Sequence, residues 1–453
     1  MFNHCTTLSE AQRLMTMGAD TSVSLTEKCL VRAKDPQGQG QAVFTAINTE
    51  WALQSAALSD VAMRAGAVRS DLEGIPISIK DSFDVAGQIT SAGSLILKST
   101  AAAAHSPVTQ RLLRSGAVLV GRTNMTEFAY SGLGINPHYG TPLSPWRRDE
   151  QRIAGGSSSG AAVAVADGMC FASVCTDTGG SASIPAALCG VTGFKSTASR
   201  IDQTGIIPLA PSLDAVGVLA VNLHACVAVD AEIASEIRAT PIPRHLRQAR
   251  FAVPTTLVQD GLCTEVATAF HDALRKIRAT GAELVEVAIP EFTELADLNA
   301  RGGFAAAESY AWHAAWIEAD PSLYDPKILS RILRGKSISA KEYIDLRRKR
   351  ESWCQRVTSR LAGFDGWLMP TVPLVAPPLS ELLQSEERYF QVNALLLRNP
   401  SIVNFLDGCA LSLPCHSPGM APVGLSLAGL HGTDTALLNW GLAIEAQVCA
   451  QPT

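Results

Sequence analysis

The chain has 453 residues, 47% apolar and 17% charged, a globular composition with ample material for a large buried core. Its net charge of −5, from 37 basic and 42 acidic residues without a long block of either sign, gives no support for binding nucleic acid or a membrane surface. Eleven cysteines, an odd number with no CxxC pair, argue against a disulfide scaffold and for a reduced compartment.

Residues Met1 to Asp20 lack an apolar h-region and a cleavage site. The longest apolar run, Gly160 to Cys175, is broken by Asp167-Gly168 and is too short to span a bilayer. The expectation is a cytoplasmic protein. Residues 8–66 read as helices, with Leu8, Leu14, Leu25 and Leu30 recurring among polar residues. Ile75, Ile77 and Ile79 then alternate with Pro76, Ser78 and Lys80, the pattern of a strand. Gln110 to Gly116 reads as the end of a helix and Ala117 to Gly121 as a buried strand. Ser199 to Pro211 and Pro241 to Pro243 read as loops on the far side of the core. A second helix–strand unit spans Glu265 to Val287, its helical pattern stopping at Gly281. Further strands are expected at Phe364 to Val375 and Gly424 to Ala428, with a last helix from about Thr435 to Cys449.

Helices alternating with short buried strands predict one α/β domain over 1–453, a mixed and mostly parallel sheet covered by helices on both faces. Within it, 1–66 forms an N-terminal helical region and 67–300 with 360–453 the core. Residues 301–355, with Trp312, Trp316 and Trp353, form a helical insertion.

Residues 155–197 differ from the rest: Gly and Ser cluster at 155–160 and again at 179–183, around a helix-like run (Ala161 to Ala166) and a strand-like run (Phe171 to Cys175). Such clusters at element ends can bring an exposed hydroxyl beside free backbone N–H groups. A phosphate loop fails because Ala161 stands where lysine is required. A nucleophile elbow is matched literally by Gly156-Ser157-Ser158-Ser159-Gly160, with Ser158 as nucleophile and His416 or His431 downstream. The residues before Gly156, however, do not read as the strand an elbow needs. A flexible linker is a poor fit to clusters embedded in apolar sequence.

The segment closely resembles the amidase-signature family, in its Gly-Gly-Ser-Ser opening, its Thr-Asp-Thr-Gly-Gly-Ser centre and its Ile-Pro-Ala-Ala…Cys-Gly-Val…Gly-Phe-Lys close. The likeness extends to Gly74-Ile75-Pro76…Lys80-Asp81, Asn124-Met125-Thr126-Glu127-Phe128, Asp260-Gly261-Leu262 and Pro422-Val423-Gly424-Leu425, nearly the whole chain. The resemblance implies Ser181 as nucleophile, Ser157 as a bridging serine held in a cis peptide, and Lys80 as base. It implies an oxyanion hole from the N–H groups of Thr178, Gly179, Gly180 and Ser181. It also points to a substrate pocket near Met125, Phe128, Tyr130 and Gly132, although a plain core role for Phe128 fits equally well. Many relatives carry arginine two residues after the nucleophile, where this chain has Ser183; Ser159 likewise replaces a glycine.

The chemistry suits these residues. A serine needs a base to become nucleophilic, and a lysine serves only if burial lowers its pKa from about 10.4 by roughly three units. A hydroxyl between the two can donate and accept at once. Asp177 reads as a cap for local N–H groups. The expected activity is hydrolysis of a small amide. The alternatives are a carbamate or urea-type substrate, or an amidotransferase-like subunit; a catalytically silent scaffold is the reading from another class. No cofactor and no metal are implied, since the histidines are scattered without ligand spacing. The expected partner is a small-molecule amide or carbamate; a homodimer is left open.

Overall fold

In the computed structural model, which describes residues 7–234 and 241–449, the alternating segment becomes strand β2 (Pro76–Lys80), buried along its whole length. It is buried because it pairs in parallel on both sides, with β3 (Val118–Thr123) and β4 (Ala172–Asp177). Eight further strands complete the sheet. These are β1 (Phe44–Ile47), β5 (Thr192–Lys195), β6 (Ala215–Ala220), β7 (Arg250–Pro254), β8 (Glu283–Val287), β9 (Gly366–Pro370), β10 (Cys409–Pro414) and β11 (Gly424–Gly429). Among the described residues the order is β1-β3-β2-β4-β6-β5-β10-β11-β9-β7-β8.

The sheet is mixed, as expected, but it is not mostly parallel. Six pairings are antiparallel and four are parallel. The reason is local. The chain returns from β5 to β6, and from β10 to β11, without an intervening α-helix, and such direct returns produce antiparallel neighbours.

The two faces of β2 are covered differently. Ile75, Ile77 and Ile79 join a large apolar cluster with residues of helices Leu8–Thr16, Ser22–Lys34, Pro107–Arg114 and Leu223–Ile233. The other face carries Ser78 and Lys80. There Ser78 donates to Ser173 Oγ on β4 at 2.9 Å, and Lys80 reaches toward the segment that opens helix Ser159–Ala166. That helix is made of small residues and packs with Cys175 and Val120 in a second cluster. Helices Gly303–Ala319, Pro326–Leu333 and Ala340–Leu361 fill the region after residue 301. No helix among the described residues is long and apolar enough to cross a membrane, and the described cysteines are all free thiols.

Parallel pairing fixes where chemistry can gather. β3, β2 and β4 end at the same edge, so the loops after Thr123, Lys80 and Asp177 emerge side by side, the usual ligand-binding edge of such sheets. Because Ala215 pairs with Asp177, antiparallel β6 brings Asp214 to that edge as well. The loop Ser199 to Pro211 therefore lies beside this edge and not on the far side of the core: Ile207 N–H donates to Ser82 O at 2.8 Å.

The first turn after β2 is locked by an ion pair. Arg122 Nε lies 2.6 Å from Asp81 Oδ1, with both side chains almost fully buried, and Arg122 also donates to Phe83 O at 2.8 Å. Replacing Asp81 by alanine leaves a buried guanidinium without its carboxylate, an arrangement that typically costs about 3–5 kcal/mol. The expected result for Asp81→Ala is a clearly lower urea midpoint; an unchanged midpoint would show that the pair contributes nothing to holding this turn.

Candidate active site

Lys80 closes β2 with no solvent exposure. Its Nζ lies 2.8 Å from Ser157 Oγ and 2.8 Å from Thr176 Oγ1, the latter on neighbouring β4. Burial lowers the Lys80 pKa from 10.5 to about 8, partly opposed by its neighbours Cys175, Asp177 and Asp214. The Cys175 thiol is itself pushed up to about 12 by burial, so it is neutral while Lys80 titrates.

Ser157 follows a cis peptide bond from Gly156 and is clamped by its backbone. Its carbonyl accepts from Thr126 N–H at 3.0 Å, and Gly156 N–H donates to Gly132 O at 2.8 Å. Gly156 has to be glycine, because a Cβ there would stand 2.5 Å from Gly134 N. The neighbouring Ser158 is buried, its hydroxyl donating to Thr176 O at 3.4 Å. His416 accepts from Val423 N–H, and His431 pairs with Asp407. Among the described residues, no strand runs directly into Gly156. The elbow reading of Ser158 has neither its strand nor its histidine.

Ser181 lies in the turn between β4 and helix Ser183–Cys189, and its carbonyl accepts from Ser158 N–H at 3.3 Å. The two Gly/Ser clusters thus lie against each other. The direct contact among the three candidates is Lys80 to Ser157; the Ser181 hydroxyl has no hydrogen bond among the described residues.

Asp177 shapes that turn. Its carboxylate accepts from the N–H groups of Gly180 and Ala182 at 2.7 Å each, from Ser183 N–H at 3.3 Å, and from Asn404 Nδ2 at 3.0 Å. This is the local capping expected of it. It also corrects the expected oxyanion hole, because the Gly180 N–H is already committed to Asp177 and is not free to hold an anion. The N–H groups of Thr178, Gly179 and Ser181 have no protein acceptor among the described residues. The Thr178 hydroxyl donates to Asp214 at 2.5 Å, tying the turn to β6. Ser183, where many relatives have arginine, is buried and offers its backbone to Asp177.

The expected substrate wall divides in two. Met125 and Phe128 are each 1% exposed, and the Phe128 ring is enclosed by Trp312, His313 and Tyr324, with the His313 centroid 4.2 Å away. Phe128 is a packing residue behind the site, held with an unusual φ of 48°. Tyr130 is also buried, beneath Arg331, whose guanidinium carbon is 4.5 Å from the ring centroid. Gly132 donates its N–H to Asn393 Oδ1 at 2.8 Å. Its small size lets Ile184 and Leu397 approach.

Sequence reasoning missed Thr176, Asp214, Asn393 and Asn404. Asn393 and Asn404 belong to helix Glu386–Leu406, more than two hundred residues beyond Gly132 and Asp177, which they respectively touch. No local pattern marks them. Thr176 carried one usable signal: it directly follows the strand-like run that ends at Cys175 and precedes Asp177.

Comparison with known proteins places the chain among its relatives. A family model described as Amidase matches residues 24–438. The chain is 35% identical to a 2-amino-5-chloromuconic acid deaminase of Comamonas testosteroni, over 88% of this chain and 86% of the relative. It is 31% identical to a glutamyl-tRNA(Gln) amidotransferase subunit of Chloroflexus aggregans, over 98% of this chain and 96% of that relative. A crystal structure of an amidase superposes with a TM-score of 0.86 at 32% identity, covering 98% of this chain and all of that one.

Gly180 tests how closely the turn is built. Its φ is 121°, and a Cβ there would meet Pro400 Cβ at 2.6 Å. Gly180→Ala should move the turn and slow labelling of Ser181 by a fluorophosphonate probe by about 100-fold, the scale of losing an aligned donor. Labelling at the wild-type rate would show that the turn tolerates a side chain there.

Proposed function

The chain belongs to the amidase family, and from that premise we propose that it hydrolyses the C–N bond of a small amide through an acyl-enzyme on Ser181. The observation that carries the reading is the contact between fully buried Lys80 and Ser157. With a pKa of about 8, roughly one lysine in ten is neutral at pH 7. A neutral Nζ has a lone pair, so the Ser157 hydroxyl can donate to it, and Ser157 Oγ can then take the proton of Ser181. Thr176 holds the amine in place for this exchange.

In the first step Ser181 Oγ bonds to the carbonyl carbon as its proton passes to Ser157 and the Ser157 proton passes to Lys80. The carbonyl electron pair moves to oxygen, where the N–H groups of Thr178, Gly179 and Ser181 hold it. The C–N bond then breaks, and the proton on Lys80 returns through Ser157 to the leaving nitrogen. Water attacks the ester by the same route, releasing the acid and restoring Ser181. No histidine is required.

The likeness to a deaminase of an amino-substituted muconic acid favours a small organic acid derivative that releases ammonia. A carbamate or urea-type substrate would use the same steps. The likeness to a component of an amidotransferase raises a second reading, in which the chain works only with partner subunits. Activity of the purified chain alone separates the two.

The sign of the pH dependence follows from the base. Lys80 must be neutral, so kcat/KM should rise about tenfold per pH unit below about 8 and level off above it. A profile that falls through this range would contradict a lysine base. Ser181→Ala should abolish fluorophosphonate labelling and amide hydrolysis together. Labelling lost only in Ser158→Ala would instead support the elbow, and an unlabelled wild type would support a silent scaffold.

A further inference from the structure

Asp214 is a buried carboxylate that makes no ion pair among the described residues, and a carboxylate enclosed without a cation is costly. The loop before β6 is folded around it. Leu209 N–H donates to the carboxylate at 3.0 Å and Ala210 N–H at 3.1 Å, while Ala210 O accepts from the N–H groups of Leu213 and Asp214 at 2.7 and 2.8 Å. Burial pushes the Asp214 carboxyl up, and its hydrogen-bond donors work against that rise. The carboxylate is therefore fixed by its own loop. Its partner outside that loop is the Thr178 hydroxyl, at 2.5 Å.

Thr178 opens the turn that carries Ser181. Asp177 fixes the later part of this turn through the N–H groups of Gly180, Ala182 and Ser183, and none of those contacts reaches Thr178. The Thr178 side chain is anchored on Asp214 instead, and its own N–H has no protein acceptor among the described residues.

A second relation links Asp214 to the base. β2 and β6 flank β4 on opposite sides, and β4 leads from Thr176, tied to Lys80, to Thr178, tied to Asp214. Asp214 favours the charged form of Lys80. The other titratable groups around the two are Cys175 and Asp177 on β4, Lys195 on β5 and Glu308 on helix Gly303–Ala319. Asp177 is engaged by the turn and also favours charged Lys195, and Glu308 accepts from Ser212 N–H and the Tyr343 hydroxyl. In the first step of hydrolysis Lys80 gains a full charge in a closed interior, and an anion fixed in advance lowers the cost of that step.

Resting on the amidase reading, we propose that Asp214 is a positioning residue for both halves of the reaction: it aims the Thr178 N–H at the oxyanion through the Thr178 hydroxyl, and its charge steadies the Lys80 ammonium as that forms.

Fluorophosphonate labelling of Ser181, followed against pH, tests both roles without a known substrate. Thr178→Val removes the hydroxyl and keeps the carboxylate. Labelling should slow by roughly ten- to a hundredfold with its pH midpoint in place, and Thr178→Ser should recover most of the rate. Asp214→Asn should slow labelling as well and move the midpoint to lower pH by about half a unit or more. Asp214→Ser, a smaller side chain, gives the same reading if Asp214→Asn does not fold. A wild-type rate in Thr178→Val, or a midpoint that stays in place when the carboxylate is removed, would overturn the proposal. If the wild type is not labelled, the amidase reading fails on its own. A carbon NMR titration of labelled lysine, with Lys80 assigned by the signal lost in Lys80→Met, then decides the link to Asp214: a lower midpoint in Asp214→Asn supports it, and an equal one overturns it.

Discussion

Placing an amine where water cannot reach it is the constraint around which this protein is built. A charged lysine side chain in a closed interior is unfavourable, and Lys80 is fully enclosed. The fold answers with two hydroxyl partners and two nearby carboxylates, enough to keep the amine in place and too little to keep it fully charged. Between pH 8 and 10.5 the unfolded chain still binds the lysine proton while the folded chain does not, so stability rises with pH across that window. Below it, the folded state carries the desolvation penalty of the charged form.

The turn after β4 shows the complementary device. Asp177 gathers three backbone N–H groups from below, while Asn404 reaches down from helix Glu386–Leu406 to both the Asp177 carbonyl and its carboxylate. Ser401 donates to Gly179 O from the same helix at 3.4 Å. The turn is therefore held from both sides. Glycines at 179 and 180 are what allow a helix containing Pro400 to come so close. The same contacts that fix the turn also consume one of its donors, so the anion site is smaller than a count of consecutive N–H groups suggests.

Local pattern made much of this legible. The isoleucine alternation located β2 and put Lys80 at its end, and the small-residue segment marked both serine clusters. The helix–strand unit ending in Glu283–Val287 was readable for the same reason: its apolar period is strong and its boundary is a glycine. What could not be read was whatever depends on pairing across the chain. Thr176 meets Lys80 only because β2 and β4 run in parallel register. Asp214 meets Thr178 only because β6 runs back along β4. The isoleucines suggested a dry setting for the lysine, yet they lie on the opposite face of the strand. Its dryness comes from the small-residue helix Ser159–Ala166 and the parallel strands on either side.

Two parts of the chain thus divide the work. The Lys80–Ser157 contact and the turn after β4 sit at the edge of the sheet, where strand register leaves little freedom and buried packing penalises any change of volume. A cavity of about 460 Å³ lined by Arg331, Arg334, Phe390 and Asn393 is walled by helices on the later part of the chain, whose exposed residues such as Arg334 can change at little structural cost. Phe128 marks the seam: its ring belongs to the helical region, with Trp312, His313 and Tyr324, while its backbone donates to Ala92 O in the loops after β2. A change in the helices can therefore reshape what enters the site without moving the lysine.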